Sequence, residues 1–417
     1  MPPGRLGPRH LSRRDFLKRA GVTAAALPAA ASILSACAKP GSLPPGVKIL
    51  PLSRPDRPVT LPLWKDPIAD GLPIEKGATL KVYNWSDYMY KKVLKQFESL
   101  YGVNIEWTPY NNMEEAIQKM ATGQIKPDVL FTDVDKINSL VEARLIQPLN
   151  HSYIPNLKKY IWSDYEEPFY DRGWRYTVPY VLWTSGVAYR RDHISDAEVA
   201  EKGYNILWDS AYRGKVGIYD SYRDAIGMAL MRNGVKDINT GNPDDILAAK
   251  DALLELINNT DAVLTTNGVY VGLPADTYWL HEAWSGDIVG GQYYLPKGVK
   301  TDVLGYWFPR AQGNYDTGND TITVATTATN PVLAHTFLNF FQNPKYAVPN
   351  FVDWNGYQPP QKSLNPHLLV SQGDVPATLS EAVVTPHDIE HGQFINVLSA
   401  DVDQRYQDAW AEITTSG

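Results

Sequence analysis

The chain has 417 residues, 44% of them hydrophobic and 20% charged, which is enough for two domains with a core each. Its formal net charge of −7 argues against a nucleic-acid partner, whose phosphates attract basic surfaces. The single cysteine, Cys37, excludes an intrachain disulfide and a metal site built on cysteines.

Near the start, Ser12-Arg13-Arg14-Asp15-Phe16-Leu17-Lys18 precedes an apolar run from Ala20 to Ile33. That run is too short and too rich in alanine to span a bilayer stably. The basic stretch resembles a twin-arginine export signal, and Leu34-Ser35-Ala36-Cys37 resembles a bacterial lipobox, cut before a cysteine that then carries lipid. The competing reading is a buried, unmodified Cys37. The first reading makes residues 1–36 a removable signal. It expects an exported protein, in the periplasm or on the outer face of the cell membrane, anchored by lipid on Cys37. Loss of six basic residues and Asp15 with the signal takes the net charge from −7 to −12. Residues 37–77 carry a proline every few positions and predict an extended, semi-rigid tether. A segment wrapped on the surface would have the same composition.

Leu80 and Val82 mark a strand, and Met89–Tyr101 the helix after it, with Val93, Leu94, Phe97 and Leu100 on one face. Val103–Trp107 alternates as a strand, Met113–Thr122 reads as an amphipathic helix, Pro127–Asp133 as an apolar strand and Ile137–Ala143 as a helix. The βαβαβα order predicts a parallel sheet covered on both faces. Thr177–Thr184, running into Gly186–Tyr189, is expected to cross between domains. Beyond it, Val216–Asp220 predicts a strand, Arg223–Arg232 and Asp244–Asn258 predict helices, and Ile288-Val289 and Val303-Leu304 look like strands. Pro331–Phe341, Thr378–Val384 and Asp401–Ile413 close the chain as helices. No internal repeat is visible.

The stretch Tyr83-Asn84-Trp85-Ser86-Asp87-Tyr88 lies at a strand-to-helix junction, where α/β proteins put ligand contacts. Aromatic faces attract cations and a carboxylate pairs with ammonium, so the stretch suits a small organic cation. Its plain alternative is a helix cap at Ser86 or Asp87 with aromatics in the core. Further polar-aromatic clusters occur at Asp220-Ser221-Tyr222-Arg223-Asp224, Trp284-Ser285-Gly286-Asp287, Asn319-Asp320 and Asn355-Gly356-Tyr357. Each alone reads as ordinary capping, turn or packing.

Taken in order, with Val178-Pro179-Tyr180 between the first and second, these blocks resemble bacterial periplasmic spermidine/putrescine-binding proteins, the substrate-binding components of ABC importers. The resemblance runs from about Thr79 to Trp410. It implies an α/β, two-lobed periplasmic-binding-protein fold of type II, each lobe a mixed, mostly parallel sheet flanked by helices and joined by a hinge. Residues 78–184 with 319–365 would form one lobe, and 185–318 with 366–417 the other. Crossing strands are expected near Val181–Ser185 and Val303–Asp316. Carried over position by position, Trp85 and Trp284 would wall a methylene chain, with Tyr88 and Tyr357 completing the box. Asp87, Asp287 and Asp320, with Asp224 as a further carboxylate, would meet ammonium ends, and Ser86 would hydrogen-bond one. Thr132 would stand in for a serine usual after Pro127-Asp128-Val129-Leu130-Phe131. Two more departures bear on the ligand: Gly318 where an aromatic is common, thinning the wall, and Asp224 where glutamate is frequent. No cofactor and no metal are implied, and the expected state is a monomer that delivers a polyamine to a permease and its ATPase.

Independent chemistry agrees with such a site, because an α,ω-diamine needs carboxylates at both ends and flat apolar walls between. Three rivals stay open. Asp287 and Asp320 could be the acid and base of a glycosidase-like hydrolase, although no nucleophile motif is present and His281 has no evident partner. The same fold could bind another small cationic ligand such as thiamine, or a metal, or could serve a signalling receptor.

Overall fold

The computed structural model describes residues 50–416. The expected signal, Cys37 and the rest of the chain up to residue 49 lie outside the described residues. Strand β1 (Thr79–Trp85) buries Leu80 and Val82 and leaves Lys81 exposed, the alternation that a half-buried strand requires. Helix α1 (Lys91–Tyr101) buries Val93, Leu94 and Phe97. After β2 (Asn104–Tyr110) comes α2 (Met113–Ala121), capped by Asn112, whose side chain accepts from the Glu115 amide at 2.8 Å. Strand β3 (Val129–Asp133) and helix α3 (Ile137–Glu142) complete this part. β1 lies between β2 and β3 and runs parallel to both.

The chain then enters β4 (Thr177–Arg190), followed by β5 (Val216–Ile218), α4 (Tyr222–Arg232), α5 (Pro243–Thr260) and β6 (Val263–Leu264). Next come β7 (Leu280–Trp284), α6 (Ser285–Gly291), β8 (Leu304–Trp307), β9 (Thr317–Val324), α7 (Pro331–Phe341) and α8 (Ala400–Ser416). The strands follow the path β2-β1-β3-β9-β4-β7-β5-β6, with β8 also on β4. β4 is the joint: up to Thr184 it pairs antiparallel with β9, and from Ser185 with β7 and β8. Three buried clusters accompany the two lobes. The first holds Val82, Phe97, Leu130 and Phe337. The second holds Val216, Ile226 and Leu253, and the third Ala283, Ile288 and Tyr306.

Several expectations need correction. The first lobe has the mixed sheet expected of it, but its antiparallel member β9, inserted between β3 and β4, was not foreseen. β9 went unread in the sequence since glycine, asparagine and aspartate at 318–320 disfavour strands. Burial on both faces is supported by its threonines: Thr321 and Thr323 donate to the carbonyls of Thr132 and Leu130 at 3.0 Å. Ile288-Val289 is not a strand but part of α6. A side chain at Gly286 would place Cβ 2.2 Å from the Tyr357 ring, so close packing, not helix propensity, selects this glycine-rich helix.

The described part of the expected tether, residues 50–77, is not a free spacer. It lies along the first lobe: Leu61 is buried, the Val59 amide donates to Phe169 O at 2.8 Å, and Trp64 Nε1 donates to Ile146 O at 3.0 Å. Prolines suit this role because each removes a donor that the segment has no strand partner to satisfy.

Candidate functional site

The residues that the sequence scattered along the chain converge on one cavity of about 100 Å³. Trp85, Ser86 and Tyr88 reach it from the end of β1, Asp224 from the first turn of α4, and Trp284 and Asp287 from the β7–α6 junction. Asp320 comes from β9 and Tyr357 from the turn after α7 and its neighbour helices. Two expected residues do not join them. Asp87 is exposed; its backbone takes a φ of 57°, and its carbonyl accepts from Trp354 Nε1 at 2.7 Å. Thr132 turns to the opposite face of β3, toward Met113 Sδ at 3.9 Å. Strand alternation therefore gives the cavity Asp133 instead.

Aromatic side chains build the walls. Trp284 stacks on Tyr219 at 3.9 Å between centroids and stands 6.0 Å from Trp183. Tyr88 meets Tyr357 edge to face at 4.9 Å. Trp183 and Tyr219 were not foreseen. Trp183 pairs in register with Gly318, and a Cβ on Gly318 would lie 2.5 Å from the indole. The wall is thus not thinner at Gly318, because the neighbouring strand fills the space with a larger ring.

The acidic groups are held with care. Asp287 accepts from the hydroxyls of Tyr357 at 2.7 Å and Tyr219 at 2.8 Å. Asp320 accepts from the Tyr88 hydroxyl and from Trp183 Nε1 at 3.3 Å. Asp224 accepts from the Ser221 hydroxyl and from Trp284 Nε1 at 2.9 Å. Tyr88 is itself fixed, since Tyr180 Oη donates to its carbonyl at 2.7 Å and is held in turn by Asn350 Nδ2 at 2.8 Å.

Asp133 and Asp320 face each other across the β3–β9 pair, a placement that costs stability when both are charged. Burial pushes Asp133 well above the usual carboxylate range, with Asp320 and Asp135 adding to it. Burial likewise raises Asp320 to about 6 and Asp287 to about 7. Asp224 is raised, again chiefly by burial. Seven carboxylates and two cations line the cavity. One cation, Arg223, is drawn aside to Asn396 O at 3.0 Å and Asn239 Oδ1 at 2.7 Å. The other, Lys136, bonds Asp135 at 2.9 Å and Glu114 at 3.0 Å. Among the described residues, Asp133, Asp224, Asp287 and Asp320 have no ion-pair partner within 4.0 Å. A cavity so arranged favours a guest that brings positive charge at separated points and an apolar middle.

Residues 92–375 match the sequence model of the bacterial extracellular solute-binding protein family. The spermidine/putrescine-binding periplasmic protein of Escherichia coli is 25% identical over 295 residues, 70% of this chain and 81% of that protein. A putrescine/cadaverine-binding protein of Pseudomonas aeruginosa is 24% identical over 63% of this chain and 73% of its own length. Among solved structures, the spermidine/putrescine ABC transporter substrate-binding protein from Streptococcus pneumoniae superposes with a TM-score of 0.63 at 20% identity. The match covers 81% of this chain and 99% of that one.

Proposed function

The chain belongs to the bacterial extracellular solute-binding protein family, whose members are binding proteins and not enzymes, and from that premise we propose that it is the substrate-binding component of an ABC importer for a polyamine, putrescine or spermidine. One observation carries the reading: the buried Asp287 and Asp320 and the half-buried Asp133 and Asp224, which have no ion-pair partner among the described residues, converge between aromatic rings in one cavity. Relatives named for putrescine, spermidine and cadaverine support it.

In this reading Asp287 receives one ammonium, oriented by Tyr219 and Tyr357. Asp320 and Asp133 receive the other, with Asp224 nearby. Trp183, Trp284, Trp85 and Tyr88 cover the methylene chain, and Ser86 adds a hydrogen bond at the mouth. The dication relieves the repulsion among acids as well as pairing with them, so ligand and closed form stabilise each other. The lobes close about β4 near Thr184-Ser185 and about the 308–316 connection, and the closed face docks on a permease. Lipid on Cys37 would keep the exported protein at the membrane; mass spectrometry of the mature N-terminus decides that part.

Calorimetric titration with putrescine, cadaverine, spermidine and spermine tests the assignment. Saturable binding of at least one, with a matching rise in melting temperature, is expected. If none of the four binds while thiamine or a sugar does, the assignment is wrong.

A further inference from the structure

Lys136 is the feature of the cavity that polyamine binding does not by itself call for. It follows directly on Asp135 in the turn after β3, and its ammonium is inside the cavity, not on the surface: its side chain is 14% exposed. It is clamped from both lobes. On the first-lobe side it bonds Asp135 at 2.9 Å and Glu114 at 3.0 Å. On the other side it lies over the Tyr222 ring, 5.5 Å from the centroid, and the Tyr222 hydroxyl is anchored to Asp403 Oδ1 at 2.8 Å. Its stem therefore cannot swing clear while the lobes are closed.

This arrangement has the chemistry of a bound amine: an alkyl ammonium between two carboxylates with an aromatic face beside it. The partners are those a guest ammonium would use, and they are already occupied. Against its burial, Lys136 holds Glu114 below the usual carboxylate range, so that acid is charged and neutralised from within. Lys136 itself stays cationic, since Asp135 and Glu114 overcome the effect of burial. The acids left without a cation are Asp287 on one side and the Asp320, Asp133 and Asp224 group on the other, enough for two guest charges.

We propose that Lys136 takes, as part of the protein, the place of a third ammonium, so that the cavity accepts a two-ended diamine and rejects a triamine. A third charge extended past Asp133 meets a like charge and finds Asp135 and Glu114 spent. Rejection by an unpaired like charge is a direct route to specificity. The inference rests on the polyamine reading and names the ligand class within it.

The experiment is titration of the intact protein with putrescine, cadaverine and spermidine, before and after substitution of Lys136. Wild type should bind putrescine or cadaverine about tenfold or more tighter than spermidine. Lys136→Met should raise the ratio of spermidine to putrescine affinity about tenfold or more, and Lys136→Arg, which keeps the charge, should leave spermidine disfavoured. Should Lys136→Met melt too low to titrate, the double change Lys136→Gln with Glu114→Gln, which removes one charge of each sign, gives the same readout. Wild type that binds spermidine as tightly as putrescine overturns the proposal whatever the variants do, and so does a folded Lys136→Met variant, or a folded Lys136→Gln with Glu114→Gln variant, that keeps the wild-type ratio. Wild type that binds no polyamine at all instead removes the functional reading on which this one stands.

Discussion

Asp320 is hydrogen-bonded by Tyr88 and Trp183 while facing Asp133 across the sheet, so its two roles pull in opposite directions. Asp320→Asn removes a like charge from the empty protein and a partner from the ligand. The ligand-free melting temperature should hold or rise, whereas putrescine affinity should fall by about tenfold or more. A variant with unchanged affinity would put the ammonium elsewhere. The pH response follows from the raised carboxyls at about 6 and about 7. The fold holds these protons more tightly than the unfolded chain, whose aspartates titrate near 4. The empty protein's stability from them is therefore fully present below about pH 4 and lost as pH rises through about 7. Ligand pairing has the opposite sign, since it needs the ionised acids. Putrescine should bind about tenfold or more tighter at pH 8 than at pH 5, with a melting-temperature gain that grows over the same range. A flat profile would mean that neither acid meets the ligand.

At the scale of elements, α6 does more than carry Asp287. Its glycine at 286 lets the Tyr357 ring sit against the helix backbone, which brings the Tyr357 hydroxyl to Asp287 at 2.7 Å. Gly286→Ala would drive a methyl group into that ring. The expected result is overpacking of about 1–3 kcal/mol in denaturant titrations, together with weaker putrescine binding as Tyr357 is displaced. Wild-type stability and affinity in this variant would show that the ring has room to move. β9 has the matching role on the other side, with Gly318 making space for Trp183 and Asp320 two residues further along the strand. The two cavity walls thus each include a glycine and the aromatic that it admits.

For the whole molecule, the important element is β4, which is hydrogen-bonded into both lobes and changes partners at Thr184-Ser185. A strand shared in this way lets two rigid halves rotate while their sheets stay intact. Polyamine addition should lower the radius of gyration in solution scattering for wild type, and not for Asp320→Asn at the same ligand concentration. No change in wild type despite measured binding would mean that the protein takes up its ligand without closing.

How much of this was legible follows from the range of each signal. Amphipathic helices such as α1 and α2, the opening βαβαβα run, and the aromatic-acidic clusters are written within a few neighbouring residues, and the sequence by itself determined them. It also determined that carboxylates and rings would be plentiful at strand ends. Which of them share a cavity was decided only by tertiary structure. Asp133 rather than Thr132 turns inward because of strand register, and Trp183 takes the room at Gly318 because the two strands lie side by side. Residues 50–77 lie on the first lobe because Leu61 and Trp64 find partners there. Strand pairing, burial and the raised acid groups all depend on residues far apart in the chain. No local pattern encodes that distance until the chain has folded.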